Sequence, residues 1–172
     1  DVFVTYLIEA NPNVICESSA YKAADGVFNL ALTGDLETSI TRLYLVNSDE
    51  LGQGSSILVN KRGVNVDNAV TTIGIPSQVF FEKLQQHLDS IFDNYSVILR
   101  LNCEGVEDDV IYGAHAVFAG NLALVMGSLK DVRECKGDKE YAELQSYMQV
   151  NELPRPFEIR VSEQFHPTTT ST

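Results

Sequence analysis

Residues 76–95, PSQVFFEKLQQHLDSIFDNY, decide the reading of this 172-residue chain. Phe80, Leu84, Leu88, Ile91, Phe92 and Tyr95 recur at three- and four-residue intervals, while Glu82, Lys83, Gln85, Gln86, Asp89 and Asp93 fill the opposite side. That spacing is the period of an amphipathic helix with one buried face. Pro76 suits a first turn, where its missing N–H has no intrahelical acceptor to lose, and Asn94 suits a terminus. Six large apolar side chains, at roughly 1.5–3 kcal/mol each when fully buried, suffice to dock this helix on a sheet.

Upstream of the helix the pattern is one of strands and turns. Val2–Ile8 is β-branched and aromatic on both faces and reads as an interior strand closed by Asn11-Pro12-Asn13. A short helix is expected over Ser18–Ala24, stopped at Asp25-Gly26. Val27–Thr33 and Ile40–Val46 read as a pair of strands, with further β-prone runs at Ile57–Val59 and Ala69–Ile73.

Downstream, Val97, Leu99, Leu101 and Cys103 alternate with Ile98, Arg100 and Asn102, the period of a half-buried strand. Glu104–Asp109 reads as an acidic turn. Val110–Ala119 and Leu122–Met126 read as a hairpin closed by Gly120-Asn121, both of which tolerate the positive φ of a two-residue turn. A second, weaker helix is expected over 138–148, with Tyr141, Leu144 and Met148 on one stripe. Phe157, Ile159 and Val161 make one face of a closing strand, and 165–172 is a polar tail.

Strands arriving at short intervals without alternating helices predict a mainly β, α+β fold: an antiparallel β-sandwich or barrel carrying the 76–95 helix and the 138–148 helix. Residues 1–164 fit one domain, with 165–172 as its tail.

Composition narrows the function classes. Twelve Lys and Arg against 24 Asp and Glu give a formal charge of −12, which repels phosphate backbones and argues against direct nucleic-acid binding. The longest apolar run, Val110–Met126, is interrupted by His115 and Gly120-Asn121 and does not read as a membrane span. Cys16, Cys103 and Cys135 form no C-x-x-C pair, so no zinc or dithiol motif is encoded, and neither a metal nor a cofactor is expected.

Gly52-Gln53-Gly54-Ser55-Ser56 has the look of a phosphate-cradling loop but lacks the Lys-Ser/Thr of a P-loop, and Ile57 stands where a dinucleotide fingerprint has its third glycine. Ser55 lacks the flanking glycines of a nucleophile elbow. His115 is the one candidate acid/base, read as mid-strand beside the carboxylates of the acidic turn, with a packed core or subunit-contact histidine as the competing role. His87 and His166 join it at no metal-ligand spacing.

With no catalytic motif complete, the expected function is that of a structural subunit of a multi-copy protein assembly, a capsid or tail-like virion component being the concrete version. Protein partners, copies of this chain included, would be met through Gln53, Gly54, Ser55, Ser56, Phe165 and His166. The alternative is a small enzyme or ligand-binding domain with a pocket between the Phe80 face of the helix and the sheet, using His115.

Overall fold

The computed structural model describes residues 2–46, 52 and 54–153. In chain order the elements are β1 (Tyr6–Ile8), α1 (Pro12–Glu17), α2 (Ser19–Lys22), β2 (Gly26–Phe28), β3 (Ala31–Thr33), β4 (Ser39–Val46) and β5 (Val64–Pro76). They continue with α3 (Ser77–Asp89), β6 (Val97–Leu101), α4 (Glu107–Phe118), β7 (Leu122–Gly127), α5 (Lys130–Lys136) and α6 (Asp138–Val150). The expected closing strand at Phe157–Val161 and the tail from 165 to 172 lie outside the described residues.

The decisive helix is present as α3. It is shorter than its sequence period implied, because Pro76 belongs to β5 and pairs with Thr33, and the chain leaves the helix after Asp89. Phe80, Phe81 and Leu88 are buried, and Phe92 and Tyr95 still pack on the core from the turn beyond, but Ile91 is exposed. The weaker helix is also present, as α6, with Leu144 and Met148 buried.

The principal correction concerns residues 107–118. They form a helix, not a turn followed by a strand, and Val110, Ile111, Ala114 and Phe118 make its buried stripe. Glu107, Asp108 and Asp109 occupy its first turn, where carboxylates meet the positive end of the helix dipole. Gly120-Asn121 is therefore a helix-to-strand turn, in which the Asn121 N–H donates to the Phe118 carbonyl over 2.7 Å, and no hairpin exists there.

That change alters the sheet. A helix between two strands permits parallel pairing, which no two-residue turn allows. β6 and β7 pair in parallel through α4, β1 and β2 pair in parallel across α1 and α2, and β3 pairs in parallel with β5. Among the described strands only the β4–β5 ribbon is antiparallel, extended by an isolated antiparallel bridge from Tyr44 to Ser56. The fold is a mixed α+β arrangement of sheets of two, three and two strands, and no barrel closes among the described residues.

Smaller differences have local causes. Asn11-Pro12-Asn13 opens α1 instead of a turn, since the Asn11 side chain caps the Asn13 N–H and Pro12 takes the first helical position. Val2 and Phe3 are exposed, so only Tyr6–Ile8 of the expected interior strand is a strand. Val27–Thr33 divides between β2 and β3 in different sheets, so the strand that pairs with β4 is β5. Residues 57–59 form no strand.

The core lies between α3, α4 and the strands. An edge-to-face series runs Phe28–Phe80–Phe81–Phe118 with ring centroids 5.1, 5.5 and 5.8 Å apart, geometry that aromatic quadrupoles favour. α3 and α4 approach closely because position 113 is glycine: a Cβ there would stand 2.7 Å from the Gln78 backbone nitrogen and from the Ser77 Cβ.

Candidate functional site

In sheets with parallel strands, ligands collect outside the carboxyl ends of the strands, where loops diverge and leave a crevice. Here β1 runs out into Glu9, Ala10 and Asn11, and β6 into Asn102, Cys103 and Glu104. The loop ahead of β5 links these two ends. Asn11 Nδ2 donates to the Gly52 carbonyl over 3.4 Å, the Ser55 N–H donates to the same carbonyl over 3.1 Å, and Ser56 Oγ donates to the Glu104 carbonyl over 2.8 Å. Backbone bonds between Tyr44 and Ser56, 2.8 and 3.1 Å long, fix that loop to β4.

Between the two ends opens a cavity of about 520 Å³. Its walls include every residue from Phe3 to Ala10 and every residue from Ile98 to Glu104. Successive strand residues point to opposite faces. A cavity that touches all of them runs along the strand edges, so the gap separates the edge of β1 away from β2 and the edge of β6 away from β7, neither of which is paired among the described residues. Leu30, Leu32, Leu43, Phe81 and Val110 add apolar wall, while Glu9, Ser55, Arg100, Asn102 and Glu104 supply polar groups.

The polar end is held by a network of carboxylates. Glu9 Oε1 accepts from the Asn11 N–H over 2.7 Å and Oε2 accepts from the Tyr21 hydroxyl over 3.2 Å; burial, then the Glu9 charge, pushes the Tyr21 phenol up to about 12. Glu107 is wholly buried, and its carboxylate accepts from the backbone N–H groups of Cys103 and Gly105, each over 2.9 Å. These bonds fold the Asn102–Val106 turn, in which Glu104 takes φ +57° and Gly105 φ +116°. A side chain at Gly105 would run into Cys135 Sγ at 2.7 Å. Burial raises the Glu107 carboxyl above the usual range despite those donors. Burial likewise pushes the Cys103 thiol up to about 12, with Glu107 adding to it, so this cavity-wall cysteine is no thiolate nucleophile near neutrality.

Lys61 ties the turn to α5. Its Nζ lies 2.9 Å from Glu104 Oε2 and also pairs with Asp131, and Asn60 Nδ2 donates to the Cys135 carbonyl. Burial works against the ammonium charge, but the hydrogen bonds it donates to Asp131 and Glu104 outweigh that and raise the lysine above its ordinary value. At the first turn of α4, Lys136 Nζ from the end of α5 reaches Asp108 and Asp109, each over 2.6 Å.

Of the residues singled out from sequence, Ser55 and Ser56 stand on the cavity wall with the Glu104 turn. His115 is placed on α4, where Nδ1 shares a 2.7 Å hydrogen bond with the Tyr147 hydroxyl, and it is not part of the cavity wall. Gly54 lies in the same loop as the serines, while Gln53, Phe165 and His166 fall outside the described residues. Sequence reasoning missed Glu9 and Lys61, and offered Glu107 only as one carboxylate of the acidic turn beside His115. The acidic first turn of α4 was the available signal for Glu107; for Glu9 it was an acid directly after a strand and before an Asn-Pro helix start. Among the described residues no group of three or more His, Cys, Asp or Glu is arranged to hold a metal ion, and no helix is long and apolar enough to cross a membrane. No family model, curated protein or solved structure matches this chain.

Proposed function

We propose that this chain is a ligand-binding α+β unit that takes a phosphate-free ribonucleoside in the cavity between β1 and β6. The observation that carries the reading is Glu9: an acidic side chain at the carboxyl end of a parallel strand, on the wall of the crevice, is the arrangement that accepts hydrogen bonds from a ribose diol. Phosphates do not suit this cleft. The chain has neither phosphate-binding glycine pattern, and on the wall Glu9 and Glu104 outnumber Arg100, in a protein with net charge −12. A neutral or cationic nucleoside fits that field, and an adenosyl sulfonium group donor is the concrete candidate.

Isothermal titration with S-adenosylmethionine, S-adenosylhomocysteine, NAD and ATP tests the proposal. Binding of the adenosyl compounds without NAD or ATP is the expected result. Absence of binding by all four at about 1 mM, a free-energy gain below about 4 kcal/mol, overturns it.

A second reading, that of an assembly subunit, is favoured by the edge-on character of the same cavity. Two strands whose facing edges are unpaired among the described residues, on either side of a gap, are a template for an extended segment of a partner, including another copy of this chain. The β4–β5 ribbon adds exposed apolar surface, with Ile40 and Ile73 directly opposite each other and both exposed. Light scattering across a concentration series separates the two readings: a mass that grows with concentration supports assembly, and a strictly monomeric chain removes self-assembly.

A further inference from the structure

Among the described residues, the wall of the β1–β6 cavity carries two carboxylates, Glu9 and Glu104, and one cation, Arg100. Both carboxylates are engaged within the fold. Glu9 accepts from the Asn11 N–H and from the Tyr21 hydroxyl, and Glu104 lies 2.9 Å from the Lys61 ammonium. The Arg100 guanidinium makes no hydrogen bond or ion pair among the described residues, in a chain with 24 acidic side chains against 12 basic ones. Its side chain is exposed, as is that of Ile98 two residues before it on the same face of β6, and both stand on the cavity wall. Its charge also reaches across the gap. Burial first, and then Glu9, push the Tyr21 phenol up to about 12, and the Arg100 charge opposes them. Tyr21 is itself on the wall and bonded to Glu9, so the guanidinium on β6 acts in the same space as the carboxylate at the end of β1.

A wall with one unpaired cation and two carboxylates complements a ligand of the opposite pattern: one anionic group alongside cationic or donating ones. A phosphate brings acceptors only. An amino-acid group brings a single carboxylate with an ammonium beside it, and a guanidinium grips a carboxylate through two parallel N–H···O bonds. We infer that Arg100 is a ligand-binding residue, whose guanidinium takes the α-carboxylate of an amino-acid group carried by the bound nucleoside. The inference rests on the nucleoside reading above and narrows its ligand to nucleosides with a zwitterionic tail.

The test compares S-adenosylhomocysteine with 5′-methylthioadenosine, which has the same nucleoside and thioether but no amino-acid group, by isothermal titration. The wild-type chain is expected to bind S-adenosylhomocysteine more tightly, by about threefold or more for a charge-assisted contact at an open wall. Arg100→Gln should remove that preference by weakening S-adenosylhomocysteine alone and leaving 5′-methylthioadenosine where it was. A wild-type preference below about threefold overturns the inference while the nucleoside reading stands, and so does an Arg100→Gln variant that keeps the preference or weakens both compounds equally. Binding of neither compound by the wild-type chain overturns both. The wild-type comparison decides the matter even should the variant fail to fold.

Discussion

Replacing Gly113 by alanine separates this architecture from a strand-based one by the sign of a single number. In an open helix interior, glycine to alanine stabilises by about 1 kcal/mol through backbone entropy. On α4 the new methyl meets the Gln78 nitrogen at 2.7 Å, the Ser77 Cβ at 2.7 Å and the Ser77 carbonyl carbon at 2.8 Å, all short of the 3.4 Å at which ordinary contact begins. The obstruction is mostly backbone at the start of α3, which cannot swing aside as a long side chain does. Overpacking of this kind costs about 1–3 kcal/mol, with the upper part of that range apt where a helix must move. Set against the propensity gain, the net expectation is a loss of about 1–2 kcal/mol, or roughly 2–8 °C in melting temperature for a protein of this size. Urea unfolding followed by circular dichroism measures it, with Gly120→Ala as control, since a Cβ at Gly120 meets nothing within 4 Å. A Gly113→Ala protein as stable as wild type, or more so, refutes the α3–α4 packing.

Three further outcomes follow from the network around the Glu104 turn. Lys61→Met strands the carboxylates of Glu104 and Asp131, which share a mostly buried ammonium, and should cost about 2–3 kcal/mol in the same urea assay; a loss under about 0.5 kcal/mol contradicts the tie between the turn and α5. Glu107 has a folded pKa above its ordinary value of 4.5, so its contribution to stability is fully present below that value and is lost as pH rises through the folded pKa. The stability of wild type relative to Glu107→Gln should therefore fall as pH rises from about 4.5, and a difference that grows with pH contradicts the burial of that carboxyl. Titration with a thiol reagent at neutral pH should label exposed Cys16 promptly and buried Cys135 only after denaturation; prompt labelling of Cys135 would place it in solvent.

How far the fold was legible depended on how cleanly each segment divides between core and water. α3 and α6 each show one face to solvent, and their 3.6-residue period is plain in the sequence. β6 alternates Val97, Leu99 and Leu101 with exposed Ile98 and Arg100, and its period of two is equally plain. α4 is enclosed on several sides by α3, α5 and the strands, so apolar residues fill most of it and blur the period. Its Val110, Ile111 and Val117 also favour strands, and local propensity pointed the wrong way until burial decided otherwise. Parallel pairing was invisible for a different reason, because it joins segments separated by a whole helix and leaves no turn signature. At the site, Ser55 and Ser56 stood out only as members of a glycine-rich loop. What makes Arg100 distinctive is that the carboxylates of the cavity wall are taken by other partners and leave it out, a property of three-dimensional accounting alone.

The account rests on the cavity at the carboxyl ends of β1 and β6 being a binding site, and amide shift mapping by NMR during titration with S-adenosylhomocysteine tests that most directly. The expected result is a set of saturable shifts confined to Glu9–Asn11, Ser55–Ser56 and Arg100–Gly105. An absence of shifts at millimolar ligand, or shifts confined to α6 around Tyr147 and His115, would contradict it.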